Sequence, residues 1–410
     1  SLTVDFKLSS TDAVPDAADV SVRIAGVPCS VVAIASGSVD CVTGFHGQTN
    51  ASHTGVYNVE GIIAGAGDEG LGRALAETAG AATFRYADFW SSRTTWGGRD
   101  PPVEGDLAVI PPGATVVLDV SPPKLAALVV SEGSKLEFLD YGREASGAKK
   151  HLRLDAHYIL VNGGTFQIGT ESEPYLGLAT VTLHGTPTDT ELPMYGAKVL
   201  ACRRCTLDLH GMPTLQTWTR LSATAWDNST RLHLQQKVDW AVGSDIVVSS
   251  TDHVKEHAEV VTVVAVEDDG KTVVFAPPLQ WSHQGETLGP FYDDGTDRNT
   301  ALEDPNKFIE VRAEVGLLSR NVVVQGDELS VPWQFGATIM MFSPGDESLT
   351  GRLENIEVRR AGQAHRLGRY PIHFHMIGTV RNSYCRSNSV HTTFNRAVTI
   401  HGVHYLRVQR

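Results

Sequence analysis

From Phe89 to the C-terminus, short β-favouring runs alternate with glycine, proline, aspartate and serine, and this punctuation limits what the chain can fold into. Thr115-Val116-Val117-Leu118, Ala127-Leu128-Val129-Val130, Lys135-Leu136-Glu137-Phe138, Tyr158-Ile159-Leu160-Val161, Thr165-Phe166-Gln167-Ile168 and Thr180-Val181-Thr182-Leu183 are runs of this kind. Helical periodicity is almost absent. The best helical stretch, residues 70–79, is short and begins on glycine. The fold class is therefore all-β. Strands spaced by roughly 10 to 20 residues fit a sandwich or a β-solenoid whose coils each add a short strand to a stacked sheet. Asn321-Val322-Val323-Val324 returns as Asn355-Ile356-Glu357-Val358, and further runs follow at 398–400 and 405–408. Asn382-Ser383, Ser387-Asn388-Ser389 and His401-Gly402 suit sharp corners, because Asn and Gly tolerate left-handed backbone. The pattern predicts a right-handed parallel β-helix in the C-terminal half, with a large sandwich as the alternative.

At 410 residues the chain must divide into domains or extend as a repetitive one. Its 34 Lys plus Arg against 47 Asp plus Glu give a formal net charge of −13, which argues against a nucleic-acid groove or a polybasic membrane contact. With 41% hydrophobic and 20% charged residues, most of the chain can bury a core. No run approaches the roughly 18 apolar residues of a membrane helix. The start Ser1-Leu2-Thr3-Val4-Asp5 carries no signal sequence, and the chain closes inside a strand-like pattern. It reads as a mature or excised piece of something longer.

Five cysteines occur. Cys29 and Cys41 lie in two β-like runs joined through Ser36-Gly37, within disulfide reach as a hairpin if the register is right; two buried thiols are the alternative. The sequons Asn50-Ala51-Ser52 and Asn228-Ser229-Thr230 point to the same oxidising compartment. Cys202-Arg203-Arg204-Cys205 has redox or zinc spacing, but it lacks two further ligands and the strand-to-helix turn of a redox motif. A local disulfide or structural thiols are the better reading. Cys385 is left over.

Val22, Ile24, Gly26, Val27 and Cys29, followed by Cys41-Val42-Thr43, resemble the IPT (TIG) domain, an immunoglobulin-like sandwich. Phe89-Trp90-Ser91-Ser92, Thr95-Trp96-Gly97-Gly98, residues 101–113, Asn162-Gly163-Gly164-Thr165 and Thr182-Leu183-His184-Gly185 resemble the eight-glycine domain. Residues 313–321 and Arg369-Tyr370-Pro371-Ile372-His373-Phe374-His375 resemble the β-helix that follows it in the fibrocystin-like family, which has hyaluronan-acting relatives. The resemblance implies an IPT-like sandwich over 1–60, a linker over 61–84, an eight-glycine domain over 85–210 and a truncated parallel β-helix over 211–410. It also implies an extracellular, cell-surface or ciliary protein with protein partners and a glycan as a further ligand.

The strongest chemical constellation is His365, His373, His375, His391, His401 and His404, out of 16 histidines in all. In a strand, His373 and His375 share a face, and a later coil can set His391 or His401 above them. Such a set serves as a divalent-metal site or an acid/base pair, although packed ladders of His, Arg and Asn are the commoner use. Arg369, Arg396, Glu314 and Asp327 are further candidates for glycan hydrolysis, but no carboxylate pair can be placed. Arg352, Arg359, Arg360, Arg366, Arg369, Arg381, Arg386, Arg396, Arg407 and Arg410 gather near the C-terminus as a basic strip or as ordinary solvated residues. Asp293, Asp294, Asp297, Glu303 and Asp304 crowd a loop that reads as solvated rather than calcium-binding. Among tryptophans that could stack on sugars, Trp90 and Trp96 read as core. The sequence favours a structural and interaction segment without a cofactor. A hyaluronan- or glycan-acting hydrolase that uses the His/Arg cluster, and a carbohydrate-binding module, are the alternatives.

Overall fold

A computed structural model describes residues 88–140, 150–288 and 308–409, and the strand backbone in the first 87 residues. Two compact units result, the first built mainly of residues 1–89 and the second of most of the remainder. The first holds an antiparallel sheet in the order Leu2–Asp5, Ser38–Thr43, Val27–Ala35, Val20–Ile24, Tyr57–Ala64 and Arg73–Ala76. The stretch read as a linker, 61–84, thus carries sheet: Gly61 to Ala64 pair with Ala76 to Arg73. The expected helix over 70–79 is also corrected, since a stretch this short gains more from ladder hydrogen bonds than from alanine's helix propensity. Cys29 stands opposite Thr43, and Cys41 opposite Val31. The side chains of both cysteines, and Asn50, lie outside the described residues.

The second unit is a parallel solenoid with three sides. One coil runs through Leu178–Leu183, Val199–Arg203 and Thr206–His210; the next through Val322–Gly326, Thr338–Phe342 and Thr350–Glu354. Glu357–Ala361, Ile372–Thr379 and Tyr384–Arg386 follow, then Ser389–Thr393, Val398–His404 and Arg407–Gln409. Each strand pairs in parallel with its counterpart one coil away. The long strand His151–Asn162 turns a corner, its first half pairing with Leu178–Leu183 and its second with Val199–Arg203. The recurrence seen at Asn321 and Asn355 is one coil of this stack, with Val324 directly opposite Val358. A corner falls where expected at Ser387, with φ of 55°, whereas Gly402, at 63°, lies inside Val398–His404 at the irregularity in its pairing with Ile372–Thr379 rather than at a corner. Leu200, Leu209, Val324, Ile339, Leu353, Val358, Ile372 and Phe374 are fully buried and stack in columns, each coil closing the apolar end of the last.

Two boundaries differ from the sequence expectation. The parallel ladder already starts at Leu107–Ile110, which pairs with Leu125–Val130, inside the region assigned to the eight-glycine domain. Within the expected β-helix, strands lying in 218–276 and 314–317 instead form a six-stranded antiparallel sheet around its own core of Leu232, Trp240, Ile246, Val261, Val273, Phe275 and Val315. The turn Asp268-Asp269-Gly270, all at positive φ, folds Glu259–Glu267 back on Thr272–Ala276. Strand propensity is the same for both pairings, so the antiparallel insertion left no separate compositional mark. The insertion leaves and rejoins the solenoid at one corner, where the Met212 amide donates to Asn321 Oδ1 at 2.8 Å. The acidic stretch 293–304 lies outside the described residues.

Candidate functional site

Alternation along Ile372–Thr379 sends Ile372 and Phe374 into the solenoid core and turns His373 and His375 to the opposite side. Parallel register then places Thr399 over His373 and His401 over His375. Directly after His375 the strand bulges: Met376 takes φ 51° and the register shifts before Gly378, a local bend that re-aims side chains. The rings of His373 and His375 lie 4.8 Å apart, and those of His375 and His401 5.0 Å. One nitrogen from each of the three rings falls within 4.8 Å of the others.

Burial differs steeply across the cluster. His373 is 2% exposed, under an edge-on Tyr370 ring at 5.0 Å; His375 is half-buried and His401 exposed. His373 Nδ1 lies 3.0 Å from the Gly368 carbonyl, so this nitrogen carries the proton and donates it. Nε2, buried, has no partner. Leaving a buried polar atom unmade costs about 1–3 kcal/mol. Burial, with the charges of His375, His401 and Arg369 outweighing the Gly368 bond, pushes the His373 pKa down to about 4. Burial and His401 lower that of His375. His375 Nδ1 and His401 Nδ1 are 3.1 Å apart, one donating and one accepting. The Thr399 hydroxyl in the same patch is also buried without a partner.

The remaining candidates are elsewhere or otherwise engaged. His391 belongs to Ser389–Thr393 on another side of the solenoid, where it meets Glu357 at 3.1 Å. Arg369 reaches Glu191 Oε2 at 3.0 Å past Gly196, where a Cβ would sit 2.2 Å from Arg369 Nε. Arg352 pairs with Asp208, Arg359 with Glu357, Arg360 with Glu328, Arg366 with Glu191 and Arg386 with Glu354 and Glu171. The arginine-rich end is therefore largely neutralised in place. Glu314 pairs with Arg220. Trp90 is core, as expected, and Trp96 donates its indole N–H to the Trp90 carbonyl; Trp226, Trp281 and Trp333 are exposed. Asn228 is exposed in a turn at φ 63°. Cys202 and Cys205 form a buried disulfide, and Cys385 is a buried free thiol.

Sequence reasoning missed a second, denser polar cluster. Lys198, fully buried, donates to Asp327 Oδ1 at 2.6 Å and to the Gly185 carbonyl at 3.2 Å. His184 bridges Asp155, at 2.8 Å, and Asp327, at 3.4 Å. Burial alone would lower the His184 pKa, but the hydrogen bonds and charges of the two carboxylates leave it raised. The sequence marks Asp327 only as a candidate carboxylate beside Glu314. Its partner Lys198 is far upstream, and no spacing rule joins them.

Residues 95–222 match the G8 domain, which covers the eight-glycine signature, and residues 334–410 match the CEMIP beta-helix. Human fibrocystin-L is 37% identical over 431 aligned residues, covering 96% of this chain and 9% of that protein. Mouse fibrocystin-L is 39% identical over 368 residues, covering 80% of the chain and 8% of the relative. Protein rliB of Dictyostelium discoideum is 27% identical over 333 residues, covering 78% of the chain and 26% of the relative. The chain thus spans less than a tenth of the fibrocystin-L proteins it matches. With the G8 signature on the early coils, the β-helix motif on the later ones and this identity across both, the chain belongs to the fibrocystin-L and CEMIP-like family.

Proposed function

We propose that this chain is a structural and interaction segment of the extracellular part of a large fibrocystin-like surface protein. The observation that carries this reading is the parallel pairing of coil upon coil, whose long charged side chains are tied to carboxylates on the same or neighbouring coils. Such a stack supplies rigid length and display surface without needing a cleft. The first sheet, with its Val22 to Cys29 pattern, belongs to an IPT-like domain that precedes the solenoid in sequence. A disulfide at Cys202–Cys205 and the exposed Asn228 sequon suit an oxidising, glycosylating compartment. Among the described residues no helix is long and apolar enough to cross a membrane.

The histidine cluster favours a second reading, a glycan-acting hydrolase. Against it, the charges that bear on His373 and His375 come from other imidazoles and Arg369. The usual glycosidase mechanism needs two carboxylates flanking the bond. Incubation with size-defined hyaluronan and other anionic glycans separates the two readings. A scaffold leaves chain lengths unchanged while the protein stays folded; shortening that is lost in H373A or H375A overturns the scaffold.

A further inference from the structure

We propose that His373, His375 and His401 form a three-imidazole site for a late first-row divalent metal ion of the zinc class, with one coordination position open to solvent. The proposal stands apart from the scaffold reading and holds whether or not the segment is catalytic.

Three features carry it. The first is pre-orientation: the Gly368 carbonyl holds the Nδ1 proton of His373, so the lone pair left is on Nε2, the buried atom without a partner. A carbonyl on the far ring nitrogen is how metal-bound imidazoles are commonly held. The second is spacing. With Zn–N distances of about 2.0–2.1 Å in a tetrahedron, two ligand nitrogens on one ion stand about 3.3 Å apart. His375 Nδ1 and His401 Nδ1 are at 3.1 Å, and the widest separation in the group is 4.8 Å. Closing that gap takes a small rotation of the two outer rings, and both retain solvent exposure for it. Two neutral imidazoles share one proton at such a contact, whereas a cation takes a lone pair from each.

The third feature is the donor set, which selects the ion. Imidazoles alone suit zinc, copper or nickel and are poor ligands for calcium or magnesium, which take oxygens. Among the described residues no cysteine belongs to the group: Cys202 and Cys205 are bonded to each other, and the free Cys385 lies on the strand Tyr384–Arg386 on another side of the solenoid. Three His ligands leave tetrahedral zinc one position for water or a ligand oxygen. On this geometry His401 faces solvent, so that position opens outward.

The test uses untagged chain stripped with a chelator. It is titrated with Co2+, followed by visible absorption, and then with Zn2+ by calorimetry and competition. The expected result is about one ion per chain with tetrahedral Co2+ bands that Zn2+ displaces. H375A and H401A each weaken binding at least about tenfold, the lower end of what even a supporting partner contributes. H391A binds as wild type, because His391 is engaged by Glu357 on another side of the solenoid. Circular dichroism confirms that the variants are folded. No stoichiometric binding by the wild-type chain, or binding unchanged in both H375A and H401A, overturns the site.

Discussion

Lys198 is a buried charge held by Asp327 and the Gly185 carbonyl, although burial still outweighs them and keeps its pKa below the usual lysine value. Removing one partner of such a pair strands the other, so K198M is expected to cost about 3–5 kcal/mol in urea unfolding. The double variant K198M/D327L recovers part of that loss. His184 and His210 give opposite pH signatures. The raised pKa of His184 means the folded state holds its proton more tightly than the unfolded state does. Its contribution is full below the unfolded value of 6.5 and fades as pH rises through the folded pKa. His210 is buried against Tyr384, their side chains 2.8 Å apart; burial first, then Arg352 and Arg386, push its pKa down to about 4. Its contribution is full above 6.5 and is lost as pH falls toward about 4. Stability curves against pH for H184Q and H210F should each flatten in one of those windows and leave the other unchanged.

The insertion at 218–317 and the coils that flank it are separable elements. It carries its own buried cluster, and its two ends meet within one hydrogen bond at Met212 and Asn321. Replacing residues 213–320 by a short glycine-rich turn should therefore leave a folded solenoid that keeps the β circular dichroism of the parent coils. Collapse of the coils on excision would show that the insertion is part of their core. The corner between Val199–Arg203 and Thr206–His210 is held differently, by the Cys202–Cys205 disulfide around Arg204 at φ 50°. A loop of so few residues restricts the unfolded chain only modestly, so C202A/C205A should lose about 2 kcal/mol by the chain-entropy account. Chemical denaturation of the variant against the oxidised parent checks this.

For the whole molecule, a stack in which each coil touches only its neighbours unfolds along its axis rather than all at once. Val199–Arg203 is fully paired on both sides, by Tyr158–Asn162 and by Thr338–Phe342. Arg407–Gln409 is exposed along its length and pairs with Tyr384–Arg386. Amide exchange should be slowest in the middle coils and fastest over residues 389–409; uniform protection would contradict the stack. Much of this was legible beforehand. The short punctuated runs dictated an all-β chain, because Gly and Asn at the breaks and β-branched residues between them leave little room for helix. The Asn321 and Asn355 recurrence marked one coil, and the alternation His373-Phe374-His375 required the two imidazoles to share a face. Partners across coils were another matter. Choosing His401 over His391 for the cluster, joining Lys198 to Asp327 and making the strands of the insertion antiparallel all depend on strand register and direction. Those are fixed by which apolar faces pack against which once the coils close, so tertiary structure alone decided them.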